Sequence, residues 1–126
     1  MYPARMSTAH VLVHFDGSRS SERALAEGAI TARETGSALT VLVLAQVEAP
    51  SRCCNLQTTF WNSEMRRLSQ AAAQQARGLL PSDVAAEVVV REDSGRSAVR
   101  RAAAELGCRT LFEPGWLGRP RRRTIA

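Results

Sequence analysis

Residues 11–18 read VLVHFDGS, and an Ala-rich segment follows them as far as Gly36. The first five of these residues form a short, apolar, β-branched run that is typical of a buried strand. The next three supply turn chemistry and a helix cap. Small apolar residues at helical spacing predict a helix over 19–35, and the apolar run over 39–46 predicts a second buried strand. A βαβ unit with a parallel sheet follows, with Asp16 at the carboxyl end of the first strand, where such sheets bind ligands.

The second half of the chain repeats the alternation of strands and helices. A polar connection is predicted over 48–62, and a second helix runs from there to Leu80 with apolar residues on one stripe. Residues 86–91 predict a third strand. A third helix follows, ends at Gly107, and leads into a short fourth strand over 109–112.

Two stretches of the chain resemble universal stress protein domains. They read VLVHFDGSRSSERALAEGAITARETGSALTVLVLAQV and VVVREDSGRSAVRRAAAELGCRTLF, and the resemblance covers roughly residues 9–118. The order of all the elements carries it, since no single motif is decisive. The resemblance implies an α/β fold, a Rossmann-like three-layer α/β/α sandwich with a parallel sheet. It also implies frequent dimerisation and, in one subgroup, ATP or AMP binding.

The sequence departs from that family after the fourth strand. Family members carry a further helix and a fifth strand, whereas Gly118 is followed only by RPRRRTIA. We therefore expect one domain over 1–126 with strand order 3-2-1-4, no fifth strand, and a basic, flexible tail over 119–126. Helix 1 is expected on one face of the sheet and helices 2 and 3 on the other.

Without the fifth strand, strand 4 becomes an unprotected edge. We expect a homodimer to bury this edge together with the 115–118 loop, in which Trp116 and Leu117 are large and apolar. The alternative is a monomer in which something else, such as the tail folding back, covers the edge.

The candidate site residues come mainly from the resemblance. It implies that Asp16 contacts the adenosine part of a nucleotide, but an Asp here equally suits a turn that binds the next backbone amides. It also implies a role for the backbone near Val43 and Leu44.

Gly115 and Gly118 match the first half of the family's phosphate loop, and the second half is absent. Arg119 and the arginines over 121–123 offer guanidinium groups that bind phosphate, although a solvated tail is the alternative role for this charged block. Glu113, just before the loop, would repel phosphate.

Composition limits the remaining classes of function. The net charge is +5, and all 17 basic residues are Arg, four of which lie in the last eight residues. The body is nearly neutral, so a specific nucleic-acid face is not expected. The longest apolar run, 39–45, is far below the ~18 residues of a membrane span. Three cysteines and no signal-peptide pattern indicate the cytoplasm.

No enzyme signature appears. The chain contains neither a Walker A sequence, nor Gly-x-Gly-x-x-Gly after strand 1, nor a Gly-x-Ser-x-Gly elbow. No catalytic group and no metal site are predicted; Cys53 and Cys54 are expected to be spare thiols. Two functions remain: a stress-response module that binds ATP or AMP weakly, or a protein-interaction and dimerisation module that has lost the phosphate loop.

Overall fold

The computed structural model describes residues 10–49, 55–115 and 118–124. Strands and helices alternate through most of these residues and end in two consecutive strands. The elements are β1 Val11–His14, α1 Arg19–Thr35, β2 Leu39–Ala45, α2 Asn55–Leu79, β3 Ala86–Glu92, α3 Ala98–Leu106, β4 Thr110–Glu113 and β5 Arg121–Thr124.

The sheet has five strands in the order β3-β2-β1-β4-β5. The first four pair in parallel, with Val11 opposite Leu39 on one side and Thr110 on the other. The predicted parallel order 3-2-1-4 is thus confirmed. The fold is an α/β fold with a mixed five-stranded sheet.

The prediction that the fifth strand is missing is wrong. Residues 121–124 of the basic tail form β5, which pairs antiparallel with β4 so that Phe112 faces Arg122 and Glu113 faces Arg121. The physical reason is that β4 supplies partners for the arginines. The ring of Phe112 lies 5.4 Å from the Arg122 guanidinium, and Glu113 pairs with Arg123 at 3.0 Å. Consequently β4 is not an edge, and it cannot form the strand pairing we expected in a homodimer.

The predicted distribution of the helices is also wrong. Side chains of α1 and α2 share one cluster with Val13 and Val41, whereas α3 packs on the opposite face against Leu12 and Leu111. The right-handed crossover rule explains this arrangement. The steps from β1 to β2 and from β2 to β3 run in the same direction, so α1 and α2 lie on one face. The step from β3 back to β4 reverses direction and places α3 on the other.

Helix α2 begins earlier than the sequence indicated. It starts at Asn55, so half of the predicted polar connection is helical, and only its second half packs on the sheet, through Ala72, Ala73 and Ala76. The first half carries exposed apolar side chains. Because this half has no buried face, its sequence lacks the apolar stripe that would have predicted a helix. Cys53, Cys54, Trp116 and Leu117 lie outside the described residues. Within the described residues, no helix is long and apolar enough to cross a membrane.

Helix α1 approaches the sheet most closely at Gly28. A Cβ atom at this position would overlap Cγ2 of Val13, and it would lie 3.5 Å from the ring of Phe112. Val13 is fully buried and its β-branched side chain is stiff, so it has little freedom to move aside. Gly28 therefore sets the spacing between α1 and strands β1 and β4.

We expect Gly28→Ala to lower the free energy of unfolding by about 1–3 kcal/mol, because the added methyl overpacks the core. The matched control is Gly78→Ala in α2, where a Cβ would meet nothing within 4 Å. The control should raise stability by about 0.5–1 kcal/mol through helix propensity. Urea unfolding measures both changes, and equal stabilisation of the two variants would contradict the close approach.

Candidate functional site

The carboxyl ends of the parallel strands form the region where the sequence placed a ligand. β1 lies between β2 and β4, so Asp16, which follows β1, sits between the end of β2 and the loop that follows β4. The sheet thus brings Asp16, Val43, Leu44 and Gly115 to one edge. What each of them does there decides whether the region suits a nucleotide.

Asp16 belongs to the turn between β1 and α1. Its Oδ1 accepts a hydrogen bond from the backbone N–H of Ser18 at 2.9 Å, and Ser18 caps α1 by accepting from the Ser21 N–H. Burial acts to raise the pKa of Asp16, but hydrogen bonds from Ser18 and Ser21 outweigh it and hold this pKa below its usual value. The carboxylate is exposed and already bonded within the turn, which is the turn-forming role.

Val43 and Leu44 lie near the end of β2, where they pair with Val90 and Arg91 of β3. The side chain of Val43 is buried in the cluster under α1 and α2, and Leu44 packs partly buried on the α3 face. Both side chains therefore pack within the fold.

Gly115 is enclosed by its own hairpin. Its N–H donates to Oγ of Ser20 in the first turn of α1 at 2.8 Å, and a Cβ at this position would overlap the carbonyl oxygen of Arg119. Ser20 is itself buried. Phosphate loops work by directing free backbone amides at the anion, and this amide has a protein acceptor instead.

Gly118 completes the attachment of the hairpin to α1. It adopts φ +73°, a left-handed conformation that glycine tolerates, and its carbonyl accepts from Nη1 of Arg23 at 3.1 Å. The side chain of Arg119 is exposed and takes part in none of the described ion pairs. Gly115 and Gly118 therefore belong to a hairpin turn held by Ser20 and Arg23, with Arg119 as a solvent-facing cation.

A second group of polar residues lies on the α3 face beside β1. His14 follows Leu12 on this face, and Glu113 and Arg123 continue the row across β4 and β5. Nη2 of Arg123 donates to Oε1 of Glu113 at 3.2 Å and lies 3.0 Å from Oε2. Oε2 of Glu113 and Nε of Arg123 are buried, and neither has a hydrogen bond to another described residue. Burial lowers the pKa of His14, and the carboxylates of Asp16 and Glu113 oppose that shift only in part.

The other candidate groups have structural roles. Arg101 makes two hydrogen bonds to Asp93, the acid that follows β3, and these lower the pKa of Asp93. Burial raises the pKa of the Cys108 thiol to about 11, so this thiol stays protonated near neutral pH. Across 10–49, 55–115 and 118–124, no cluster of three or more His, Cys, Asp or Glu is arranged to hold a metal ion.

Several residues at this edge have roles that the sequence did not indicate. Ser20 and Arg23 bind the hairpin from 95 positions away. The side-chain amide of Asn62 pairs with both backbone polar groups of Glu48, and Trp61 donates to the carbonyl of Gln46. These contacts join distant segments through single polar atoms, so no local periodicity reveals them.

We expect Ser20→Ala to lower the free energy of unfolding by about 1–2 kcal/mol, because the Gly115 N–H loses its acceptor. Hydrogen exchange at the Gly115 amide should become faster in the same variant. The matched control is Ser97→Ala, since Ser97 is the N-cap of α3 and its side chain makes no capping bond. An unchanged exchange rate at Gly115 in Ser20→Ala would contradict the attachment.

The lowered pKa of His14 predicts a loss of stability in mild acid. As pH falls below about 6.5, the unfolded chain binds a proton at His14 while the folded chain resists it, so the free energy of unfolding decreases. His14→Gln should reduce this decrease between pH 7 and pH 5 by at most about 1.4 kcal/mol per pH unit. Urea unfolding at several pH values measures the difference, and identical pH dependence in both proteins would show that His14 titrates normally.

Known structures share this fold. Universal stress protein UspA from Lactobacillus plantarum matches with a TM-score of 0.71 and 14% identity, covering 84% of this chain and 76% of that one. A universal stress protein from Burkholderia pseudomallei has a TM-score of 0.56 and 22% identity, covering 90% of this chain and 85% of that one. A universal stress protein in complex with cAMP has a TM-score of 0.50 and 22% identity, covering 82% and 73%. No curated protein is similar enough in sequence to count as a relative.

The sequence itself decides the family. The model of the universal stress protein family matches residues 8–112, which include β1 to β3, α1 to α3 and all of β4 except Glu113. The chain therefore belongs to the universal stress protein family.

Proposed function

We propose that this chain is a stress-response module of the universal stress protein family that acts by binding other proteins and holds adenine nucleotides weakly or not at all. The hydrogen bond from the Gly115 N–H to Ser20 carries this proposal. It occupies the amide that the resemblance assigns to phosphate.

The surroundings of that hydrogen bond also disfavour phosphate. The Glu113 carboxylate lies two residues before Gly115, and no further α-helix follows β4 among the described residues. A helix at this point would have offered its amino-terminal N–H groups to an anion. The exposed Arg23 guanidinium is engaged by the Gly118 carbonyl, and Arg119, which follows the loop, is exposed. Exposed guanidinium groups of this kind give little affinity for a solvated phosphate.

Exposed apolar side chains on α2 support a role in protein association. Leu56 is 88% exposed and Phe60 is 70% exposed, and they lie one helical turn apart in the first half of α2, which contributes no side chain to the buried core. Contiguous exposed apolar surface of this kind is typical of interaction sites. Homodimerisation, which the resemblance implies, and a cytoplasmic location stay predictions.

Weak binding of ATP or AMP is the second candidate function. It is favoured by the position of Asp16 between the ends of β2 and β4, and by the relative whose structure contains cAMP. In this case Asp16 and the backbone near Val43 and Leu44 would hold the nucleoside half of the ligand. Arg119 would approach the phosphate without help from the Gly115 amide.

Titration calorimetry with ATP and cAMP, with and without Mg²⁺, tests the proposal. We expect a dissociation constant no tighter than about 1 μM, equivalent to about −8.2 kcal/mol. The reason is that a complete phosphate loop would supply several charge-assisted hydrogen bonds, and the absence of each one weakens binding by about 1.5–3 kcal/mol. Tighter, Mg²⁺-dependent binding would overturn the proposal.

Two variants separate the candidates. Asp16→Ala removes the carboxylate beside the proposed nucleoside position. Asp83→Ala is its control, because Asp83 lies in the loop before β3, at the amino ends of the strands, and pairs there with Arg33. Weak binding that disappears in Asp16→Ala and persists in Asp83→Ala supports the second candidate, whereas binding unaffected by either variant places the ligand elsewhere.

A further inference from the structure

Strand β5 is the outer strand of the described sheet, and it consists almost entirely of arginine. It reads RRRT, it pairs with β4 on one side, and no described residue pairs with its other side. Alternate residues of an edge strand direct both N–H and C=O groups away from the sheet. The edge therefore offers backbone donors and acceptors together with a row of cations.

The positive charge of the chain is concentrated in the last quarter of its sequence, which includes β5. Residues 96–126 contain eight Arg and only two acidic residues, whereas 1–95 contain nine Arg and ten acidic residues. Among the described ion pairs, Arg101 and Arg123 are the arginines of this region that have a carboxylate partner. The arginines without one are Arg96, Arg100, Arg109, Arg119, Arg121 and Arg122.

The arginines of β5 alternate between the two faces of the sheet. Arg121 and Arg123 lie on the α3 face opposite Glu113 and Leu111, and Arg122 lies on the α1 face over Phe112. Arg123 is held by Glu113, whose side chain is only 15% exposed. Arg121 is exposed and has no ion-pair partner in the described part of the chain.

A second copy of the chain does not suit this edge. Every antiparallel register that pairs three or four residues of β5 with another β5 places at least one arginine opposite an arginine. Like charges directly opposite each other in a ladder are destabilising. The edge thus disfavours self-pairing by its charge.

A nucleic acid satisfies the edge less completely than a polypeptide does. Phosphate oxygens accept hydrogen bonds from arginine and from backbone N–H groups, but they donate none to the outward carbonyls. An extended peptide supplies both donors and acceptors, and acidic side chains can face Arg121 and Arg122 across the ladder.

From this geometry we infer that β5 is a docking edge for an extended acidic segment of a partner protein, which adds to the sheet as a sixth strand. The inference rests on the proposed function, because it names the chemistry of the partner that such a module binds. Affinity comes from main-chain hydrogen bonds, and selectivity comes from carboxylates placed against Arg121 and Arg122.

Fluorescence anisotropy with synthetic peptides tests this inference on the full chain. The probe is labelled acetyl-(Thr-Glu-Glu-Thr)2-amide, a soluble peptide in which neighbouring glutamates face opposite sides of the ladder, as Arg121 and Arg122 do. One control replaces Glu by Gln, and the other keeps every charge but carries N-methyl groups on alternate amides. We expect binding of the first peptide only, decreasing with salt because exposed charges are screened. Equal binding of the N-methylated peptide would overturn strand addition.

Two pairs of substitutions locate the edge. Arg121→Glu with Arg122→Glu should weaken binding about tenfold, because two cross-strand attractions become repulsions. Arg77→Glu with Arg100→Glu changes the net charge by the same amount away from β5 and should leave affinity within about twofold. Equal losses in the two variants would mean that overall charge attracts the peptide, and the inference would fail. Arg121→Glu alone keeps the Arg122–Phe112 contact and still tests the edge if the double variant does not fold.

The same proteins distinguish the alternatives. Tighter binding of a labelled ten-nucleotide single-stranded DNA than of the acidic peptide would overturn the inference in favour of a polyanion. A dimer in sedimentation that persists in Arg121→Glu, combined with no peptide binding, would also overturn it. Neither result bears on the nucleotide titrations, so failure of this inference and failure of the proposed function are separate outcomes.

Discussion

The backbone N–H of Gly115 has two competing uses in a fold of this kind, and its hydrogen bond to Ser20 decides between them. An amide that points outward from the end of β4 can bind a phosphate. An amide that instead donates to a residue of α1 fixes the start of a hairpin, in which the chain returns along β4. The carbonyl of Arg119 then lies so close to Gly115 that a side chain there would overlap it, which confines position 115 to glycine. A glycine whose spacing matches an anion-binding loop is thus required by the close approach of two backbone segments.

The direction of each crossover determines which residues line the rest of the sheet. Because β1, β2 and β3 are added in one direction, α1 and α2 cover one face together, and α3 alone lies on the other. The polar row of His14, Glu113 and Arg123 falls on the α3 face, next to Leu12 and Leu111. A hydrophobic cluster thus gives way to a charged row toward the carboxyl end of the same face. Burial lowers the pKa of His14 there, while the Glu113 carboxylate is balanced by a cation from β5.

Some elements of this structure could be predicted from the sequence because their apolar pattern fits only one kind of secondary structure. Strand β2, expected over 39–46, spans Leu39–Ala45, and its side chains are almost all buried. Strand β5 could not be predicted in this way, since RRRT has no apolar alternation and a block of like charges usually indicates a solvated segment. It forms because Phe112 and Glu113 stand in register with it. For the site, the turn-forming role of Asp16 was one of two alternatives, whereas the contacts of Ser20 and Arg23 with the hairpin depend on folding across 95 residues.

The hairpin between β4 and β5 accounts both for the engaged Gly115 amide and for the arginine-rich edge of the sheet. It occupies the Gly115 amide on the inner side, and on the outer side it places β5 along β4. The cost of aligning three arginines is reduced by β4 itself, because Phe112 lies under Arg122 and the Glu113 carboxylate reaches Arg123. Arg121 has no such partner among the described residues, and so its charge stays directed at the solvent. The same hairpin therefore engages the Gly115 amide at the end of the sheet and places exposed arginines along its edge.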